Sequence, residues 1–159
     1  MQLLIPPEIS QQLVAALRQA GKREIGGILM GEHMEPDTFR VKEITIQRKG
    51  GTFAAFIRLV EEIIAPLRAF FDITKHDYKR FNYLGEWHSH HSFALAPSGR
   101  DHMTMCEIVM DSLLGARFVV LLLVRLGDHG QLKGCVTVYQ PNRTSFEGSI
   151  IQESPVNQP

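Results

Sequence analysis

The chain is poor in cysteine, carries no net charge and has no long hydrophobic run, and each lack removes a class of function. Its two cysteines, Cys106 and Cys135, form no C-x-x-C pair, which excludes the usual thiolate zinc ribbon. Residues 1 onward show no basic and apolar export signal, so a cytoplasmic location and two free, packed thiols are expected rather than a disulfide. Lys plus Arg number 17 and Asp plus Glu number 17, so no basic field argues for nucleic acid. The longest apolar run, residues 118–124, is far shorter than the ~20 residues that span a bilayer, and no membrane partner is expected. Internal repeats and low-complexity blocks are missing as well, which excludes a solenoid or a linker-rich array.

What remains is a chain of 159 residues, 44% hydrophobic, enough for one domain with a real core. The spacing of Ile9, Leu13, Ala16, Leu17 and Ala20 predicts a helix that stops at Gly21. Glu24 opens the apolar run Ile25-Gly26-Gly27-Ile28-Leu29-Met30-Gly31, read as a buried strand. After a turn at Glu35-Pro36-Asp37, Phe39 and Val41 share one parity and Ile44 and Ile46 the other, which predicts a strand with a bulge near Lys42-Glu43, ended by Lys49-Gly50-Gly51. Val60, Ile63, Ile64, Leu67, Phe70 and Phe71 trace a helical stripe that Pro66 should break. Residues 81–91 read as a strand, Ser98 and Asp101 as the capped start of a helix, residues 118–126 as a central strand, and residues 132–139 as its hairpin partner. The expected division is a domain over residues 1–140 and a polar tail over 141–159, mobile or used for docking.

The chemistry gathers at His88-Ser89-His90, followed after seven residues by Ser98-Gly99-Arg100-Asp101. On a strand alternate side chains point the same way, about 6.6 to 6.8 Å apart, so His88 and His90 can converge on one ion. Asp101, in the first turn of a helix, can supply a third ligand, kept ionised by the helix dipole. Two imidazoles and a carboxylate suit Zn²⁺, and three protein ligands leave a coordination position for water, the pattern of a hydrolytic site. A general base is needed too. Glu86 shares parity with the histidines and Glu24 opens a buried strand, and spacing alone does not choose between them.

Glu24 ahead of Ile25-Gly26-Gly27-Ile28-Leu29-Met30-Gly31, with His88, His90, Ser98 and Asp101 in register, resembles the JAMM signature of MPN-plus, JAB-domain zinc metalloproteases. The resemblance implies an α/β (α+β) fold, a mixed, curved central β-sheet flanked by helices, similar to the cytidine-deaminase-like JAB/MPN domain. It implies one Zn²⁺ per chain held by His88, His90 and Asp101, Glu24 as the general base, and Ser98 as donor to the developing oxyanion, although the helix cap claims the Ser98 hydroxyl equally. It further implies an isopeptidase or peptidase that cuts after the C-terminal glycine of a ubiquitin-like protein, freeing a conjugated target or processing a precursor. The chain looks similar to the compact stand-alone bacterial type, associated with ubiquitin-like conjugation systems, antiviral defence among them. The alternative is release of an amino acid such as cysteine from a sulfur-carrier protein with an extended glycine tail; a further one is a non-catalytic MPN scaffold. An H-x-H amidohydrolase barrel needs about 250 residues and does not fit.

One departure stands out, since the family commonly has proline after the second histidine and this chain has His91, read as facing solvent rather than substrate. His102 is turned about 100° from Asp101 on a helix and is not expected to be a ligand. His33, His76 and His129 read as surface residues in turns or helix ends, Trp87 as a packing residue on the face opposite His88, and Glu86 as a carboxylate of the outer shell or rim.

Overall fold

The computed structural model describes residues 1–47, 60–90 and 94–155, and in them each expected periodicity becomes an element. Strand β1 (Gln2–Ile5) leads into helix α1 (Pro7–Ala20). Pro7 stands in the first turn, where its missing N–H costs nothing, and Gly21, at φ 62°, ends the helix by donating its N–H to the Leu17 carbonyl. Strands β2 (Gly26–Glu35) and β3 (Thr38–Ile44) form an antiparallel pair joined through Asp37, at φ 58°. The register slips where Met30 pairs with Glu43 and Gly31 with Val41, which is the bulge that the change of parity implied. Helix α2 (Val60–Ile73), strand β4 (Phe81–Ser89), helix α3 (Gly99–Met110), strands β5 (Val119–Leu126) and β6 (Leu132–Tyr139), paired as the expected hairpin, and strand β7 (Ser145–Gln152) follow.

The mixed α/β character and the flanking helices agree with the expected class, but the expected curved central sheet is a closed barrel. Its order is β1-β3-β2-β4-β5-β6-β7, and β1 shuts it by pairing parallel to both β3 and β7, with Leu3 beside Phe39 and Ile150. Closure satisfies the edge groups of an otherwise open sheet. It also recruits the segment expected as a polar tail: residues 145–152 form β7, although the strand is largely exposed and its sequence mixes Glu, Ser and Gly with Ile. Helix α2 runs through Pro66 without the expected break, because Ile63, Leu67 and Phe70 on either side of it stay packed with Ile28 and Met30, which offsets the lost hydrogen bond. Strand β2 begins at Gly26, two residues after Glu24. The expected strand end at Lys49-Gly50-Gly51 lies outside the described residues.

Two layers of packing cover β4 and β5. Leu84, Trp87, Val120, Leu122 and Val124 point into a core shared with α1 through Ile9, Leu13 and Leu17. Leu121 and Leu123 face outward and meet Met105 and Val109 of α3, while Ile28 and Met30 of β2 meet Phe70 of α2. The outer face of β4 therefore lies between two helices, and it carries the polar residues of the chain's motif. Among the described residues no helix is long and apolar enough to cross a membrane.

Candidate metal centre

His88 sits near the end of β4, between Gly26 of β2 and Leu123 of β5. His90 follows just past the ladder, its N–H donated to the Val124 carbonyl at 3.0 Å, so the extended path continues and both rings emerge on the outer face. Their centroids are 5.0 Å apart. Gly26 makes room beside them: a Cβ there would lie 2.9 Å from His88 Cβ and 2.5 Å from the Trp87 carbonyl oxygen. Across the gap, α3 begins with a capping box. The Ser98 hydroxyl accepts from Asp101 N–H at 3.2 Å, and the Asp101 carboxylate accepts from Ser98 N–H at 2.7 Å, which fixes the carboxylate at the helix start.

His88, His90 and Asp101 are all buried, and their ligand atoms lie within 4.8 Å of one another. Asp101 Oδ1 is 3.6 Å from His88 Nε2, and Oδ2 is 3.9 Å from His90 Nε2. Bonds of about 2.0 to 2.1 Å at tetrahedral angles put zinc ligands roughly 3.3 Å apart, so the group fits an ion after small side-chain shifts. Burial drives the His88 imidazolium down to about 4, with Asp101 pulling the other way and His90 reinforcing the shift, so the ring is neutral at pH 7. The His88–Asp101 contact is thus no ion pair at neutral pH. A neutral imidazole, as metal binding requires, stands beside a buried carboxylate that needs a cation. His90 Nδ1–H donates to the Ala94 carbonyl at 3.3 Å, which leaves Nε2 with the lone pair on the side of Asp101. These residues fit a bound divalent ion on donor chemistry alone.

Glu24 is exposed and lies outside β2, two residues before the strand begins at Gly26 opposite His88. Gly26 pairs with His88, and one step on Ser89 N–H donates to the Ile25 carbonyl at 2.8 Å while Ile25 N–H donates to Ser89 Oγ at 3.0 Å. Glu24 directly precedes Ile25 of this contact. Glu86, the rival in sequence, is on the face of His88 but belongs to no rim. It is buried, and burial pushes its carboxyl up to about 8.

Trp87 points inward as expected, fully buried, and its indole N–H crosses over Gly27 to the Thr45 carbonyl at 2.9 Å. A Cβ on Gly27 would meet that carbonyl oxygen at 2.0 Å. His102 is outside the ligand group and exposed, its Nδ1 2.9 Å from the Tyr139 hydroxyl. Sequence reasoning missed Tyr139, which burial, then the nearby Asp101, holds well above the ordinary phenol range. No local signal links residues 37 apart, so nothing in the motif pointed to it. His33 is exposed but lies within β2 rather than in a turn, and His76 and His129 are exposed in turns. Both cysteines are free and partly buried. His91 lies outside the described residues.

The family described as prokaryotic homologs of the JAB domain matches residues 6–138, a span that holds Glu24, His88, His90, Ser98 and Asp101. No curated protein matches the chain. Among solved structures, a Desulfitobacterium hafniense protein is 16% identical with a TM-score of 0.60, over 98% of this chain and 95% of that one. A Salinibacter ruber protein is 17% identical with a TM-score of 0.54, over 96% of this chain and 92% of that one. At these identities the likeness is one of fold.

Proposed function

The chain belongs to the family of prokaryotic homologs of the JAB domain, and from that premise we propose that it is a zinc-dependent peptidase or isopeptidase acting on an extended glycine tail. The observation that carries this reading is the complete ligand group, a buried carboxylate between two buried imidazoles at the end of β4. A non-catalytic scaffold has no use for such a group, since burying it without an ion costs stability.

When bound, a divalent ion supplies a Lewis acid that polarises the scissile carbonyl and makes water acidic. Glu24, exposed and one residue before the Ile25–Ser89 contact, accepts the proton of the attacking water and returns it to the departing amine. The Ser98 hydroxyl can serve cap and chemistry together. Its oxygen accepts from Asp101 N–H, and its own proton remains to be donated to the oxyanion.

The substrate we favour is the C-terminal glycine tail of a ubiquitin-like protein, joined to a target or to a precursor segment. Strand β4 has partners on both sides at His88, so such a tail does not add to it as a new strand and lies across the outer face instead. There Gly26 presents no side chain, which suits a tail that has none either. The test is a set of reporters fused to ubiquitin-like and sulfur-carrier tails. Cleavage after glycine by the zinc-loaded protein, lost in Glu24→Gln while zinc stays bound, is expected. Full activity in Glu24→Gln would remove the assigned base, and no cleavage of any tail would remove the substrate class.

A further inference from the structure

At the other end of β4, roughly 20 Å from His88 by strand rise, the barrel carries a second concavity of about 600 Å³. One side is an aromatic wall. The His33 ring stacks on Phe39 at 4.9 Å and 20°, and Phe39 packs against Phe118 at 4.8 Å. The wall is shaped by the backbone: the β2–β3 register shifts between His33 and Glu35, and bulges of this kind re-aim side chains next to binding sites.

The other feature is charge. Lys79, Arg80 and Arg117 line the concavity against a single acid, Asp37, in a chain whose net charge is zero. Arg80 is held in place. Its Nε–H donates to Glu32 at 2.6 Å, and its guanidinium lies 5.1 Å from the Phe81 ring centre. Glu32 is only 4% exposed. The Arg80 side chain is itself exposed, so the buried Glu32 anchors one edge of a guanidinium that stays open to solvent at the mouth of the concavity. Lys79 and Arg117 are exposed and have no ion-pair partner among the described residues.

The volume is that of a small-ligand pocket, with flat apolar walls and a few placed charges. We infer that this concavity binds a small planar anion, a ring bearing a phosphate or carboxylate, with the ring on the His33–Phe39 wall and the anionic group on Lys79 and Arg117. An uncharged ring leaves the cations unpaired, and a bare anion leaves the wall uncovered. The site is independent of the metal centre and of its proposed chemistry.

The test is a calorimetric titration of the full chain, stripped of metal, with AMP, salicylate, adenosine and inorganic phosphate. Saturable binding of AMP or salicylate is expected, with adenosine and inorganic phosphate weaker by about tenfold or more, and which of the first two binds identifies the anionic group. Lys79→Ala with Arg117→Ala should weaken that binding about tenfold, and His33→Ala should weaken it as well. His88→Ala with His90→Ala should leave it unchanged. The inference is overturned if neither AMP nor salicylate saturates, if inorganic phosphate binds as well as they do, or if the Lys79/Arg117 variant binds as tightly as the original chain.

Discussion

The two faces of β4 are buried to a similar degree and do opposite things. Trp87 is 0% exposed, His88 4% and Glu86 6%, all within three consecutive positions. The inward face joins Leu84 and Trp87 to the barrel core, where burial stabilises at roughly 25 cal/mol per Å² of apolar surface. The outward face buries a carboxyl and two imidazoles, which costs free energy unless something compensates. Burial alone therefore marks no core in this chain. Buried polarity on one face of an otherwise apolar strand is the sign of function, and the contrast can be broken from either side.

The largest effect is expected on the outer face. His88→Ala with His90→Ala should reduce bound zinc from close to one per chain to near none by elemental analysis, while far-UV circular dichroism of the metal-free protein stays unchanged. Undiminished zinc in that variant would strip the outer face of its assigned purpose. Trp87→Ala should do the reverse. Loss of a fully buried indole costs about 3 to 5 kcal/mol in urea unfolding, and whatever remains folded should still take up zinc. A cost under about 1 kcal/mol would make the inward face as dispensable to stability as the outer one.

How much of this contrast could be read in sequence follows from where each signal resides. His88 and His90 were legible because the period of a strand is two and their partner Asp101 announces a helix start through Ser98. The parity change between Val41 and Ile44 gave the bulge for the same local reason. Closure of the barrel was not legible. It rests on Leu3 lying beside Ile150, a pairing between the two ends of the chain that no local pattern encodes, and β1 has four residues while β7 is largely exposed. Glu86 is the instructive case: its parity was right, but its depth depends on the packing of α2 and β2 around the outer face, and so on contacts distant in sequence.

That depth supplies the third test. The Glu86 carboxyl is raised to about 8 in the folded chain from 4.5, so the folded state holds a proton that the unfolded state releases. Its contribution is fully present below pH 4.5 and is lost as the pH rises through about 8. In metal-free protein His88, held down to about 4 from 6.5, adds stability as the pH rises to 6.5 and offsets Glu86 there, so the net loss, of order 2 kcal/mol, should fall between about pH 6.5 and 8, and Glu86→Gln should lack it. Equal slopes in both proteins would mean that the outer face buries its polar groups at no titratable cost, and the contrast with Trp87 would lose its energetic basis.

The smallest effect on folding belongs to Ser98, where structure and chemistry meet in one hydroxyl. Ser98→Ala removes the acceptor for Asp101 N–H and should cost about 1 kcal/mol, the ordinary worth of a helix cap. Asp101 keeps its bond from the Ser98 backbone N–H, so zinc stoichiometry should hold. If the hydroxyl also donates to the oxyanion, turnover should fall by about 2.7 to 4 kcal/mol in the barrier, well beyond the stability loss, and Ser98→Thr should restore both. Turnover that falls no further than stability would assign Ser98 to the helix alone and leave the oxyanion to other donors.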